Sequence, residues 1–429
     1  MDISLLLNAP LSIPRLIRNN GVSRNEIIEL QNKKLGKLVK HSFENVLYYH
    51  KLFRASGIRP EDIRTIDDLD KIPISKKTDF SNLNVKDIAA SNINLKNCDL
   101  TRTSGTSGVK LEFYREKKAL NKNLLRHYYW QLQIGDKIAN RHFIIGGGWL
   151  PPNLLEMVGV FPVKRISHFS DVKEQIKSID EFDPAVLIGL PSALRVVATE
   201  ALDRKLEIKI PLIFAAGEML DVHTRQIVQK AFDSEVFDIY GLTEIGGISA
   251  ECRVHSGQHV WGDQVVVEIS EDGEKLALDE EGSITVTNLD RYVTPFIRYN
   301  TGDVGMLIDD TCICNSQFSL MRITEGRKSD TIHLNDGRSI PAFAVCYELY
   351  AIRGIKQFQV VQETVNDFTV RIVRMSGFTE NLDKEVAQLF EKNVGKVDVK
   401  VEIVDNIPKL PSGKLKQFIS HISQAENNS

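Results

Sequence analysis

Apolar and polar positions along the chain follow a pattern that changes from one region to the next. Over 26–53, Ile27, Ile28, Leu30, Leu35, Leu38, Val39 and Phe43 recur at helical spacing, which predicts a helix. A second helix is expected to start at Ser75, after Ile72-Pro73-Ile74, and a third, rich in aromatics, over 117–134. Short apolar runs then end in turn residues. They lie at 142–145 before Gly146-Gly147-Gly148, at 185–190 before Pro191-Ser192, and at 212–215 before Gly217-Glu218. The last two lead into helices starting near Ala193 and Val222, and a further short strand is expected over 236–240. Alternating strands and helices imply an α/β sheet with ligand loops at the C-terminal ends of its strands.

From 261 onward the spacing becomes that of strands, at 265–269, 283–287 and 306–308, joined by short Gly/Asp turns. Near Gly326 it changes again: strands over 357–362 and 368–374, a helix over 380–394 and a strand over 399–404 form a separate unit. The expected fold is α/β. A large N-terminal α/β domain spans 1–328 and includes a β-rich subdomain at about 260–325, and a small α+β C-terminal domain spans 329–429.

Composition narrows the class. With 429 residues, 42% hydrophobic and 26% charged, the chain suits a soluble globular protein of more than one domain. A net charge of −3 with dispersed basic residues gives no reason to expect nucleic acid or an anionic membrane as partner. No apolar stretch approaches the roughly 20 residues of a membrane span. The 1–13 segment carries Asp2 and lacks a basic start, so a packed segment is expected rather than a signal peptide. Five cysteines argue against a disulfide framework and for a reducing, cytoplasmic setting. Cys346 is expected in a core helix.

Two groups of residues carry candidate chemistry. Thr103, Ser104, Gly105, Thr106, Ser107 and Gly108 lie between expected strands at 99–102 and 109–114. Hydroxyls and close-approaching backbone N–H groups suit phosphate oxygens, although the loop lacks the Gly-Lys-Ser/Thr ending of a Walker loop and a plain turn is the alternative. The second group is Cys252, His255, Cys312 and Cys314, whose thiols and imidazole suit a tetrahedral structural Zn²⁺. His255 is preferred as the third ligand, with His259 as alternate because it precedes an expected strand entry, Val260-Trp261-Gly262-Asp263. Buried cysteines beside surface histidines are the alternative.

Further motifs follow in order: D-I-Y-G-L-T-E at 238–244, P-F-I-R-Y-N-T-G-D-V-G at 295–305, E-G-R-K-S-D at 325–330 and K-L-P-S-G-K-L-K-Q-F at 409–418, together with Ala216-Gly217-Glu218. With the Ser/Thr/Gly loop, they resemble the adenylate-forming superfamily across essentially the whole chain. The segment Asn45-Val46-Leu47-Tyr48-Tyr49 and the pair Glu251-Cys252 resemble its phenylacetate–CoA ligase-like branch, which includes relatives associated with capsular polysaccharide synthesis.

The resemblance implies that a small carboxylic acid and ATP give an acyl-AMP and pyrophosphate, and that the acyl group then passes to CoA. An amine acceptor in polysaccharide or secondary metabolism, or a non-catalytic nucleotide-binding relative, are the alternatives. It further implies that 103–108 holds the β- and γ-phosphates, Thr243 the α-phosphate, and Glu244 a Mg²⁺ ion. Tyr240, Gly241 and Leu242 would flank the adenine, Gly217 and Glu218 would border the nucleotide, and Asp303 would accept from the ribose hydroxyls. Arg298 and Arg327 would orient phosphate and ribose, and Lys414, on a mobile C-terminal domain, would bring its charge to the α-phosphate. The acyl pocket would draw on Tyr128, Tyr129 and Trp130, on 146–149, on 189–192 and on 215–217. A homodimer is the expected assembly. The sequence departs from the family pattern at Lys110-Leu111 after the loop, at Ser329 in the hinge place, and at Gln417.

Overall fold

The computed structural model describes residues 4–103, 109–146, 154–327, 331–352, 354–375, 381–410 and 413–422, without the side chains of 4–11, 154 and 325–327. The chain divides into two units. One comprises 1–139, 151–161 and 237–324, and the other 140–150, 162–236 and 325–429.

In the first unit the expected 26–53 helix is two helices, Arg24–Asn45 and Leu47–Ala55. Ser23 opens the first with a reciprocal cap to Glu26. The break is at Val46, whose backbone turns extended at φ −118° and ψ 112° and whose side chain is buried. Ser75 does not start a helix. Its N–H donates to the Arg298 carbonyl at 2.9 Å and its Oγ to the Ile297 carbonyl at 3.1 Å, so it lies in an extended bridge. The helix starts two residues later, as Lys77–Ser81, where the Asp79 carboxylate accepts the Lys76 N–H at 2.7 Å.

The β-rich part of this unit contains Val265–Glu271, Gly282–Asn288 and Tyr299–Ile308, paired antiparallel in that order. Glu235–Leu242, Gly246–Glu251 and Gln258–Val260 form a second antiparallel run. Leu35, Leu38, Val39, Tyr49 and Phe53 pack with Ile284, Val286 and Phe296 in one core. Each such buried side chain contributes about 1.5–3 kcal/mol. A hairpin of Cys98–Arg102 and Glu112–Glu116 carries the Ser/Thr/Gly loop between its strands.

In the second unit, Leu212–Ala216, Val186–Gly189, His142–Gly146 and Val163–Ser167 are neighbouring parallel strands. Helices Val172–Phe182, Pro191–Asp203 and Val222–Phe232 alternate with them. The strands read as near-continuous apolar runs because parallel sheets bury both faces; Leu187, Ile213 and Phe214 have no exposed surface.

The C-terminal part has a four-stranded sheet ordered Asp398–Ile403, Asp367–Arg374, Ile355–Gln362, Phe418–Ser420. Helices Ala342–Ala351 and Leu382–Asn393 complete it, and Cys346 is buried in the first, as the sequence predicts. Helix Pro191–Asp203 holds this part in place. The Arg195 guanidinium lies 4.2 Å from the Tyr350 ring centroid and donates to the Tyr350 and Ile355 carbonyls, and Glu200 pairs with Lys356 at 3.0 Å. Among the described residues no helix is long and apolar enough to cross a membrane.

Candidate active site

In the first unit, Thr103 closes the base of the Ser/Thr/Gly loop. Its N–H donates to the Leu111 carbonyl at 2.9 Å, and the Leu111 N–H donates to its Oγ1 at 3.0 Å. That Oγ1 therefore already accepts a bond across the loop's neck. Ser104, Gly105, Thr106, Ser107 and Gly108 lie outside the described residues.

Strand Glu235–Leu242 carries Tyr240, Gly241 and Leu242. A Cβ on Gly241 would stand 2.6 Å from the Gly246 carbonyl oxygen, so only glycine permits this close pairing. The Tyr240 hydroxyl donates to Asp303 Oδ2 at 2.7 Å. Gly302, at φ +83°, makes the turn that presents Asp303, and the Asp303 N–H donates to Thr301 Oγ1 at 3.1 Å.

Glu244 is buried, while Thr243 beside it is exposed. Glu244 Oε1 accepts from the Tyr299 hydroxyl at 3.1 Å and lies 3.8 Å from Lys77 Nζ. One carboxylate oxygen is thus held by the protein; among the described residues no hydrogen bond reaches the other, and a carboxylate oxygen is a donor that fits Mg²⁺. Arg291 stands nearby. Burial and the neighbouring Arg115 push its guanidinium down to about 9, against the attraction of Glu116 and Glu244. Lys77, Tyr299 and Arg291 were not singled out from the sequence as site residues. Tyr299 lies inside P-F-I-R-Y-N-T-G-D and could have been found there; nothing in the spacing marks Lys77.

Arg298 does not join this group. Its backbone is left-handed at φ +47°, and its buried guanidinium donates from Nε to Glu268 at 3.1 Å and from Nη1 to the Asp70 and Ile72 carbonyls at 3.0 and 2.8 Å. These bonds pin the segment before Ser75 to the sheet, and they correct the expectation of a phosphate-facing arginine. Burial raises the Glu268 carboxyl above its ordinary range, so this pair is costly to break from one side. Arg298→Leu is expected to lower stability by about 3 kcal/mol, read as a shift of the urea midpoint at unchanged slope. An unshifted midpoint would remove the pair from the fold's supports.

In the second unit, strand Leu212–Ala216 ends at Gly217, whose φ is +88°. Glu218 follows and accepts the Ser192 N–H at 3.0 Å on Oε2 and the Leu415 N–H at 3.2 Å on Oε1. Burial raises its carboxyl, opposed by Ser192, by the Lys414 charge and by Leu415. A Cβ on Gly217 would lie 3.9 Å from Lys414 Cε, so the lysine stem runs over this glycine. On either side of Pro411 and Ser412, which lie outside the described residues, the Gly413 N–H donates to the Leu410 carbonyl at 2.7 Å and the Leu410 N–H to the Lys414 carbonyl at 2.9 Å. The fold thus joins Ala216-Gly217-Glu218 to Lys414, which are remote in sequence. The Arg327 side chain and Lys328, Ser329 and Asp330 lie outside the described residues, as do 147–153.

A third constellation gathers Cys252, His259, Cys312 and Cys314, whose ligand atoms all lie within 4.8 Å of one another. Cys252 Sγ is 3.6 Å from Cys312 Sγ, and Cys314 Sγ is 3.2 Å from His259 Nε2. Zn–S bonds of about 2.3 Å in a tetrahedron place sulfurs about 3.8 Å apart, so the donor set and its spacing fit Zn²⁺. His259 Nδ1 faces the Phe318 carbonyl at 3.2 Å, which leaves Nε2 as the ligand atom. The expected ligand His255 is not in the group. It sits at φ +54°, with Nδ1 on Glu251 Oε2 at 3.1 Å and its ring against Phe237. Burial pushes the Cys252 thiol up to about 12. Burial also acts on Cys312, but hydrogen bonds with Cys314, Ser256 and Cys252 hold it below its ordinary value.

The chain resembles known proteins over most of its length. Residues 335–421 match the family described as CapK C-terminal domain. The chain is 25% identical over 406 residues to a phenylacetate-coenzyme A ligase of Thermus thermophilus, covering 89% of this chain and 86% of that protein. It is 23% identical over 429 residues to protein CapK of Staphylococcus aureus, covering 93% and 90%. A solved 2-hydroxyisobutyryl-CoA ligase in the postadenylation state superposes with a TM-score of 0.79 at 17% identity, over 96% of this chain and 92% of that one. The fold is that of the adenylate-forming ligases. Its sequence is similar over most of its length to phenylacetate-coenzyme A ligases, and its C-terminal part to the CapK family.

Two variants test the nucleotide assignments of the first unit. Asp303→Ala is expected to raise the KM for ATP by about tenfold, the loss of an acceptor for paired hydroxyls. Glu244→Ala is expected to raise the Mg²⁺ needed for half-maximal rate. ATP and Mg²⁺ titrations matching the parent would take both residues out of the site.

Proposed function

We propose that this protein activates a small carboxylic acid with ATP and transfers the acyl group to CoA. A carboxylate oxygen attacks the α-phosphorus, the bond to the β-phosphate oxygen breaks, and pyrophosphate leaves. The CoA thiolate then attacks the acyl carbon, and AMP leaves. The observation that carries the reading is Lys414 seated over Gly217 beside Glu218, which puts a cation on a turn next to a strand-end glycine.

Around that chemistry we assign Asp303 to the ribose hydroxyls, Tyr240 with Gly241 and Leu242 to the adenine, and Thr243 to the α-phosphate. The 103–108 loop is assigned to the β- and γ-phosphates and Arg327 to the nucleotide's sugar and phosphate. Glu244 would hold Mg²⁺, which when bound neutralises charge on the phosphates. The resemblance to relatives associated with capsular polysaccharide synthesis is what suggests polysaccharide biosynthesis as the setting. Pyrophosphate release on a panel of acids tests the reading, with CoA, with amines and with neither. Turnover that depends on CoA supports it. Turnover that needs an amine replaces the acceptor, and no release with any acid overturns it.

A further inference from the structure

His168 follows strand Val163–Ser167 and has no exposed surface. Among the described residues neither ring nitrogen has a hydrogen-bond partner. A buried polar group left in this state is destabilising, so an apolar residue would suit simple packing better. Burial and the Lys409 charge both lower its pKa, which keeps the ring neutral.

What the ring touches is the turn that carries Lys414. A Cβ on Gly413 would fall 1.8 Å from both Cε1 and Nε2 of His168, so the ring occupies the place of a side chain at 413. Gly413 also has φ +83°, which favours glycine independently. On the other limb of the turn, Lys409 Nζ donates to the His168 carbonyl at 2.5 Å. The Leu415 N–H on Glu218 completes a third contact. Lys414 is therefore flanked by Gly413, packed on the His168 ring, and by Leu415, bonded to Glu218.

We propose that His168 is a positioning residue for adenylation: its ring, against Gly413, and its carbonyl, holding Lys409, form a seat that fixes Lys414 for the first half-reaction, with no part in acyl transfer. The inference rests on the adenylation reading above. Ordering a free backbone segment carries an entropy cost, and a displacement of about 1 Å at a reacting centre can cost a hundredfold in rate. A preformed seat removes that cost from the reacting complex.

The test uses His168→Ala, His168→Phe, Gly413→Ala and the double variant His168→Ala/Gly413→Ala in the full chain. His168→Ala should lower pyrophosphate release by about tenfold or more while thioester formation from supplied acyl-AMP stays within about twofold. His168→Phe should retain most activity, because the contact is made by a flat ring and not by its nitrogens. Gly413→Ala should cost more in the parent than in the His168→Ala background, since His168→Ala removes the ring that the added Cβ would meet. A nucleotide-free readout runs alongside: trypsin should cut after Lys409 or Lys414 faster in His168→Ala than in the parent or His168→Phe. Equal loss in both half-reactions, or cleavage that is unchanged in His168→Ala, overturns the seat. A parent that releases no pyrophosphate overturns the adenylation reading instead, and the trypsin comparison then decides the seat by itself.

Discussion

Replacing Lys414 with alanine is expected to lower acyl-adenylate formation by on the order of a hundredfold or more, and to leave acyl transfer from supplied acyl-AMP close to the parent rate. The reason is where charge develops. In the first half-reaction a carboxylate approaches an already anionic phosphate, and the transition state spreads charge over oxygens that a positioned ammonium stabilises in a desolvated site. In the second, a thiolate attacks a carbonyl and the phosphate is only a leaving group. Lys414 is carried on a turn closed by its own backbone bonds and fixed by Leu415 on Glu218, so the ammonium's reach is set before substrate arrives. Lys414→Arg should recover little, because a planar fork does not replace a compact point charge on this short turn. Both half-reactions are to be followed separately, by pyrophosphate release and by thioester formation. Parallel losses in the two would make Lys414 a structural residue.

Much of the fold was legible where local chemistry and tertiary context agree. Strands such as Val186–Gly189 and Leu212–Ala216 are short apolar runs closed by Gly or Pro and followed by periodic helices, and each lies at the place expected. The residues that misled do so for backbone reasons. Val46 breaks a helical pattern without Gly or Pro, because burying its side chain and turning the next helix outweigh local propensity. Ser75 has the residue type of a helix cap, but the Arg298 carbonyl claims its N–H from far along the chain. Arg298 sits inside a nucleotide-site motif, yet a left-handed φ turns it inward onto Glu268, and no spacing rule reveals a positive φ at a non-glycine residue. Tyr240 and Asp303 were legible as separate motif residues, whereas their mutual bond depends on strand placement.

The choice between His255 and His259 shows the same limit, and it sets the last expected result: His259→Ala should lose a bound Zn²⁺ that His255→Ala retains. The spacing after Cys252 is compatible with either imidazole. Strand pairing decides. His259 lies in Gln258–Val260, opposite Leu320, and its ring is held by the Phe318 carbonyl with Nε2 toward Cys314. His255 is spent on Glu251 and Phe237. Metal analysis of protein purified without chelators should give about one Zn²⁺ per chain, since three thiols and one imidazole fill a closed tetrahedral site. Cys252 and Cys312 are 60 residues apart, and clamping a loop of that length is worth at most roughly 4 kcal/mol in chain entropy, part of which the sheet already supplies. Removing the metal should therefore lower the unfolding temperature before it alters the ATP reaction. Cys312→Ser should lose both metal and stability, because it deletes the thiol 3.6 Å from Cys252 and leaves a half-satisfied cluster. Metal retained in His259→Ala and lost in His255→Ala would return the site to the ligand set that spacing suggests, and a stoichiometry near zero in the parent would leave the four side chains as a metal-free polar contact.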